Sequence, residues 1–249
     1  NNSSIFISSI LGIISPLGSY VVIPLGAGLI SIGISIPVVM SFLISSPLID
    51  LNLFLLTAGA FGYNMAIARL ISAFVMGVGA GYFFKFLINK NIINQTKAII
   101  NSNINITDYN YEKINIIMLF KEIWKMTKYI GKYFMISIIL TAIIKIFTPD
   151  QLITKIFSNN LFISVLFSTS AGIPFYVCGG AAIPVVQQLA ELGLPKGSVL
   201  AFFISGPITK VSNIILLKTI FSNKIFLFYI LYGISCSIII GIFYNLISL

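Results

Sequence analysis

Histidine is absent from this 249-residue sequence, and cysteine occurs only at Cys178 and Cys236. Without histidine, the chain cannot carry Ser-His or Cys-His nucleophilic catalysis, a His-Glu-x-x-His zinc site or histidine haem ligation. Two cysteines far apart in the sequence cannot by themselves form a cysteine-rich metal site or a disulfide framework. These absences predict a protein that is not an enzyme and that holds no metal or cofactor.

Charge is also scarce, since 8% of the residues are charged and 58% are hydrophobic, with a mean hydropathy of +1.05. Soluble domains carry about a quarter charged residues. The net charge of +9 is dispersed among hydrophobic runs, which favours a membrane over nucleic acid as its partner. The composition therefore predicts an all-α polytopic membrane protein in a lipid bilayer.

Two apolar segments, 64–84 and 225–244, are long enough to cross the hydrocarbon core, which takes about 20 residues. Arg69 is the only charge in the first segment, and its place near one end predicts an interface anchor. Gly77 and Gly81 in the same segment predict a close helix contact.

Three further segments are candidate spans that are either interrupted by a proline or short. Segments 37–61 and 198–222 are interrupted at Pro47 and Pro207, where a missing N–H predicts a kink. Segment 133–147 is a shorter candidate.

Between these spans, residues 85–132 are rich in Asn, Ile and Lys, and eight lysines outnumber three acids. The positive-inside bias predicts that this loop is cytoplasmic. Its second half predicts a basic amphipathic helix on anionic lipid, with Trp124 at the interface; a solvated loop helix is the alternative. The lysines on one face of that helix are Lys121, Lys125, Lys128 and Lys132.

An internal repeat appears when the chain is compared with itself at an offset of 160, with nine identities between segments 23–50 and 183–210. Lys85 and Lys90 follow the last helix of the first copy, but no cation follows the matching helix of the second copy. Equivalent points therefore face opposite sides, which predicts an inverted repeat and an external C-terminus.

The predicted units are a first repeat over 1–84, a cytoplasmic loop over 85–119 and a second repeat over 120–249 that begins with the amphipathic helix. The first repeat has no counterpart of residues 120–159. Either this helix was lost from the first copy or, as we expect, about 40 further residues precede Asn1, which is not a start methionine.

Segments 160–173 and 177–191 are too short to cross alone, and their glycine-rich junction predicts a re-entrant hairpin. Irregular backbone at membrane depth is tolerated only where protein or a water-filled cavity covers it, and helix N-termini there favour an anionic or polar group. The alternative is close packing of helices on Gly and Ala without a ligand.

The second pair of breaks centres on Pro47 and Pro207, and each proline is followed three residues later by a charge, Asp50 or Lys210. Opposite charges at repeat-equivalent positions predict groups that pair with each other or flank a substrate path. Solvated charges at two helix ends are the alternative.

The second copy contains the runs Cys178–Pro184 and Ser205–Lys210, and the first copy contains Ile23-Pro24 and the run Ser45–Asp50. Together these motifs resemble the bacterial predicted-permease family that includes the organoarsenical exporter ArsP. The resemblance implies an inner-membrane permease in which the paired motifs line the pathway. Where arsenical exporters have Cys-x-Cys-Gly, this chain has Tyr176, Val177, Cys178 and Gly179, so a single thiol is present. The resemblance therefore implies that the protein is a permease, but it does not imply that the substrate is an arsenical.

The resulting hypothesis is a secondary transporter of a small polar, anionic or metalloid solute, working by alternating access without a nucleotide-binding loop. Asp50 is the predicted proton carrier. A homo-oligomer is compatible with this architecture, and the alternative function is a non-transporting integral-membrane partner or a thiol-handling subunit. The predicted pathway residues are Cys178, Gly179, Gly180, Pro184, Ser205, Gly206, Pro207 and Lys210, with Pro24, Ser45, Pro47 and Asp50 from the first copy.

Overall fold

A computed structural model describes residues 2–15, 17, 19–93, 161–176 and 179–248. Within these ranges the chain forms ten α-helices and no strand. The helices are α1 (Asn2–Ile14), α2 (Ser19–Ser31), α3 (Ile36–Ser45), α4 (Leu51–Phe61), α5 (Tyr63–Asn89), α6 (Leu161–Phe175), α7 (Gly179–Glu191), α8 (Lys196–Thr209), α9 (Val211–Ile220) and α10 (Asn223–Ile247). The predicted segment 133–147, the amphipathic helix with its four lysines, and Cys178 lie outside the described residues.

The two predicted full spans are confirmed as the longest described helices, α5 with 27 residues and α10 with 25. Their most apolar windows have mean hydropathies of 1.7 and 2.3, and at 1.5 Å per residue both helices exceed about 30 Å of hydrocarbon. Ile71 and Val75 of α5, like Leu231 and Ile239 of α10, expose apolar side chains. Such outward apolar faces are expected of helices in lipid, and the chain is an α-helical membrane protein.

The two interrupted spans break at different places. In the first, α3 ends at Ser45 and α4 begins at Leu51, so the break surrounds Pro47 as predicted. In the second, α8 continues through Pro207 to Thr209 and the break falls at Lys210, with a bend of 43° between α8 and residues 213–220 of α9. The predicted position of the second interruption was therefore wrong by three residues, because the φ of proline is compatible with a helix and α8 continues for two residues beyond Pro207.

Helix starts recur along the chain at the offset of 160 found in the sequence. The pairs α2/α7, α3/α8, α4/α9 and α5/α10 begin at residues 19/179, 36/196, 51/211 and 63/223. The turns after α2 and α7 match as well, because Gly33 and Gly193 have φ angles of 98° and 97°. This region of backbone conformation is open to glycine at little cost, so the two glycines permit the same tight exit from both helices.

We call α1–α5 the N-terminal group and α6–α10 the C-terminal group. In each group the middle helix, α3 or α8, packs between two others. Contacts are close because small residues face each other, with Gly12 and Gly77 against Ser45, and Gly172 against Ser205. The predicted close contact at Gly77 and Gly81 is confirmed, since a methyl group at either position would overlap a neighbouring helix.

The groups meet along α5 and α10, which run antiparallel. The Tyr232 hydroxyl donates a hydrogen bond to the Met76 carbonyl at 2.9 Å, and the Phe83 ring stacks on the Tyr232 ring at 5.2 Å. Beyond the end of α5, Lys224 Nζ donates to the Ile92 carbonyl at 3.2 Å. Residue numbers thus rise along α5 as they fall along α10. Helix α2 also packs against α9, and α4 packs against α7, so one hydrophobic cluster joins both groups.

Candidate functional site

Arg69 lies inside the protein, in the second turn of α5, with 1% of its surface exposed. Its Nε donates to the Leu48 carbonyl at 3.0 Å, and its Nη1 donates to the Thr57 hydroxyl at 2.8 Å. The prediction of an interface anchor was wrong. An anchor extends its charge toward the headgroups, whereas this guanidinium bonds inward to the break between α3 and α4.

The break and the helix that follows it, α4, each supply one acceptor for this guanidinium. Because α3 ends at Ser45 and α4 starts at Leu51, the Leu48 carbonyl lies between two helices. Thr57, within α4, donates its own hydroxyl proton to the Leu53 carbonyl at 2.6 Å and keeps a lone pair for Arg69. Asp50 Oδ1 accepts from the Leu53 N–H at 2.7 Å and so caps α4. Leu53 is therefore bonded to Asp50 through its N–H and, through its carbonyl, to the Thr57 hydroxyl that accepts from Arg69.

The C-terminal group faces the same guanidinium from the other side. The Arg69 Cζ atom lies 4.8 Å from the ring centroid of Phe203, which is fully buried in α8. Tyr176, the residue after α6, interacts with the guanidinium electrostatically and through a side-chain hydrogen bond, and Asp50 attracts it electrostatically. The remaining nitrogen, Nη2, is buried and has no hydrogen-bond partner among the described residues. Arg69 thus lies where the two groups meet.

Gly206 connects one of the predicted breaks to this centre. A Cβ atom at Gly206 would overlap the Cβ, Cγ and Cδ2 atoms of Tyr176, so the tyrosine packs directly on the glycine backbone. The Tyr176 ring also packs near the Phe202 ring, at 6.2 Å between centroids. The last turns of α8 therefore hold the Tyr176 side chain beside Arg69.

The two predicted charges occupy equivalent positions at the breaks, and both are half-buried. Asp50 precedes α4 and Lys210 precedes α9, both with extended ψ angles, of 175° and 127°. In the second break, Asn213 Nδ2 donates to the Pro207 carbonyl at 2.8 Å. A side chain therefore satisfies a carbonyl at each break: Arg69 in the first and Asn213 in the second.

Sequence reasoning missed three residues around Arg69, namely Thr57, Tyr176 and Phe203, and it missed Asn213 at the second break. The available signal for Asn213 was a polar residue within an apolar segment, at a position where the first copy has Leu53. The structure shows that Asn213 is buried. Tyr176 belongs to the quoted motif run, but its contact with Arg69 is not encoded in any local spacing.

The other predicted pathway residues that the structure describes belong to several helices and to the first break. Ser45 and Ser205 are fully buried in helix contacts, where their hydroxyls donate to the carbonyls of Ser41 and Thr169 at 2.9 and 3.2 Å. Pro24 is exposed within α2, whereas Pro184 is half-buried within α7. Of the rest, Gly179 and Gly180 begin α7, Pro47 is half-buried in the first break, and Pro207 is buried near the end of α8.

These observations define a polytopic helical membrane protein with a buried cation where its two groups of helices meet. The chain matches the family model described as a predicted permease over residues 1–246, and it belongs to this family of ArsP-like predicted permeases. The resemblance based on the paired motifs is thereby confirmed. Neither a curated protein nor a solved structure matches the chain. Family membership supports a membrane transporter rather than an enzyme.

Proposed function

We propose that this permease is a secondary transporter that moves a small polar, anionic or metalloid solute by alternating access. The observation that carries this proposal is Arg69, a fully buried cation held by the first break and faced by Phe203 and Tyr176 of the other group. Charged side chains inside membrane proteins are expensive, and they commonly mark solute or ion pathways. A transporter needs such a polar centre between two bodies that can move.

The two bodies are the copies of an inverted repeat, over residues 1–84 and 120–249, joined by the loop 85–119. The equivalent helices α5 and α10 pack antiparallel, which supports a two-fold axis in the membrane plane. The exchanged contacts of α2 with α9 and of α4 with α7 support the same axis, because a two-fold rotation converts one contact into the other.

The proposed location is the bacterial cytoplasmic membrane, with residues 85–132 inside and the C-terminus outside. The hydrogen bond from Lys224 to the Ile92 carbonyl supports a common side for the turn before α10 and the start of this loop. The lysines 85, 90, 218 and 224 near these ends support the cytoplasmic side, by the positive-inside bias.

The proposed pathway runs along the two pairs of breaks, and Asp50 is the proposed proton carrier. Its half-buried carboxylate attracts Arg69, so its protonation would change the field at the centre. Coupling to a proton or ion gradient is therefore the proposed energy source.

Flux into proteoliposomes containing the purified full chain tests this function, with inorganic phosphate, acetate and arsenous acid as probes. We expect flux of at least one probe, lowered roughly tenfold by Lys210→Ala and by Cys178→Ser, which corresponds to about 1.4 kcal/mol. Lys218→Ala, an exposed lysine of α9, and Cys236→Ser are the matched controls. Protein-dependent flux of none of the probes contradicts the proposal. Flux that Lys210→Ala and Cys178→Ser leave unchanged contradicts the pathway assignment.

A further inference from the structure

The guanidinium of Arg69 has an unusual environment for a buried cation. Its Nε and Nη1 donate to neutral oxygen atoms, the Leu48 carbonyl and the Thr57 hydroxyl. Its Nη2 is withdrawn from solvent without a hydrogen-bond partner among the described residues. A buried charged donor that lacks its hydrogen bond destabilises the folded state, so a purely structural role does not explain why arginine is present here.

Asp50 does not accept from this donor. Its carboxylate attracts the guanidinium, but its Oδ1 accepts from the Leu53 N–H and caps α4, and Nη2 has no hydrogen-bond partner among the described residues. The neutral Phe203 ring lies on another side of the guanidinium, at 4.8 Å. The centre is therefore suited to receive a negatively charged oxygen from outside the chain.

Resting on the proposed function, we infer that Arg69 Nη2 and the Tyr176 hydroxyl bind an anionic oxygen group of the transported solute. The solute class is a small carboxylate or oxyanion. The planar guanidinium matches such groups, and an anionic oxygen accepts a shorter and stronger hydrogen bond from it than a neutral oxygen does. Tyr176 belongs to this site because it interacts with the guanidinium and its ring is held on the backbone of Gly206.

The position of the site between the groups also explains how it would open. Arg69 is hydrogen-bonded within the N-terminal group, whereas Tyr176 and Phe203 belong to the C-terminal group. Movement of one group against the other changes the distance between Arg69 and Tyr176 and uncovers Nη2. The anion thus binds where alternating access requires its binding site.

Ligand-dependent thermal unfolding of the purified full chain in lipid nanodiscs tests this inference. The probes are sodium acetate and sodium phosphate, with sodium chloride to hold ionic strength constant and arsenous acid as an uncharged probe. We expect acetate or phosphate to raise the unfolding temperature saturably, because a ligand that binds only the folded state stabilises it. Arsenous acid should produce no such rise.

Two variants assign the binding to the named groups. Arg69→Lys keeps the positive charge but loses the planar guanidinium with its paired N–H donors, and we expect about a ten- to hundredfold weaker anion affinity. Tyr176→Phe keeps the ring on Gly206 and should weaken binding about tenfold. Lys90→Met removes an exposed cation at the end of the same helix and should leave the affinity unchanged. If Arg69→Lys fails to fold, Tyr176→Phe decides.

The outcomes separate this inference from the proposed function. Failure of both anions to stabilise the wild-type chain, or unchanged anion affinity in Tyr176→Phe, overturns the inference. Flux of arsenous acid that Tyr176→Phe leaves unaffected also overturns it, while the transporter proposal stands. Anion binding that depends on Arg69 and Tyr176 but is not accompanied by flux supports the inference and contradicts the transporter proposal.

Discussion

Tyr176 packs directly on the backbone of Gly206, with no room between them for a single methyl group. Tyr176 follows α6 and Gly206 lies in the last turns of α8, so this contact joins two helices of the C-terminal group. It also holds the tyrosine beside Arg69 of the N-terminal group. The glycine therefore controls the position of a side chain at the centre of the molecule.

Gly206→Ala should displace Tyr176 and destabilise the protein by about 1–3 kcal/mol, the usual cost of overpacking a tight contact. Thermal unfolding in detergent measures the change. Gly59→Ala is the matched control, because a Cβ atom at Gly59 in α4 meets nothing within 4 Å. That control should be neutral or stabilising by up to about 1 kcal/mol, since alanine favours helices. Equal unfolding temperatures for the two variants would show that the contact with Tyr176 is not tight.

Tyr232→Phe should destabilise the junction of α5 and α10 by about 0.5–1.5 kcal/mol, because it removes the hydrogen bond to the Met76 carbonyl and keeps the ring against Phe83. The same unfolding measurement applies. Tyr82→Phe, at an exposed tyrosine of α5, provides the comparison and should change little. An effect no larger than that of Tyr82→Phe would mean that this bond contributes nothing to stability.

Repeat-equivalent positions should be labelled from opposite sides of the membrane. Tyr63→Cys and Asn223→Cys, each in a chain that also carries Cys178→Ser and Cys236→Ser, place single thiols at the exposed starts of α5 and α10. An impermeant maleimide added to intact cells should label residue 63, whereas residue 223 should react only after the membrane is opened. Lys90→Cys should behave like residue 223. Labelling of residues 63 and 223 from the same side would rule out inversion.

Asp50→Asn should separate the role of Asp50 as the cap of α4 from its proposed role as the proton carrier. Asparagine caps helices about as well as aspartate, so Asp50→Asn should lose only the attraction of Arg69, whereas Asp50→Ala also loses the cap and should cost about 1 kcal/mol more. Because the asparagine amide neither takes up nor releases a proton near neutral pH, solute flux driven by a pH gradient should be lost in Asp50→Asn. Flux that still follows the gradient in this variant would exclude Asp50 as the proton carrier.

Helix lengths and breaks could be predicted from the sequence because they depend on local chemistry. Uninterrupted apolar runs produce α5 and α10, and the proline and glycine positions mark the ends of α2 and α3. The second break was misplaced because a proline in the last turn does not by itself end a helix. Lys210 adopts an extended conformation three residues later, where Asn213 supplies the hydrogen bond to the Pro207 carbonyl.

The candidate centre was much harder to predict. Asp50 and Gly206 were identified from their motifs, but the residue that lies between their helices, Arg69, was assigned to the membrane interface. A cation near one end of an apolar helix can face lipid headgroups or protein, and the choice depends on how the helix is rotated against its neighbours. That rotation is set by contacts with Leu48, Thr57 and Phe203, which are distant in the sequence.

The sequence by itself determined that this is a helical membrane protein of the predicted-permease family and that its helices recur at an offset of 160, since composition, span length and motif register are properties of the chain alone. Only the tertiary structure decided that Arg69 is buried where the two groups of helices meet, with Tyr176 held beside it by Gly206. The physical reason is that a buried charge is tolerated only where several distant segments bring their oxygen atoms and rings to it together.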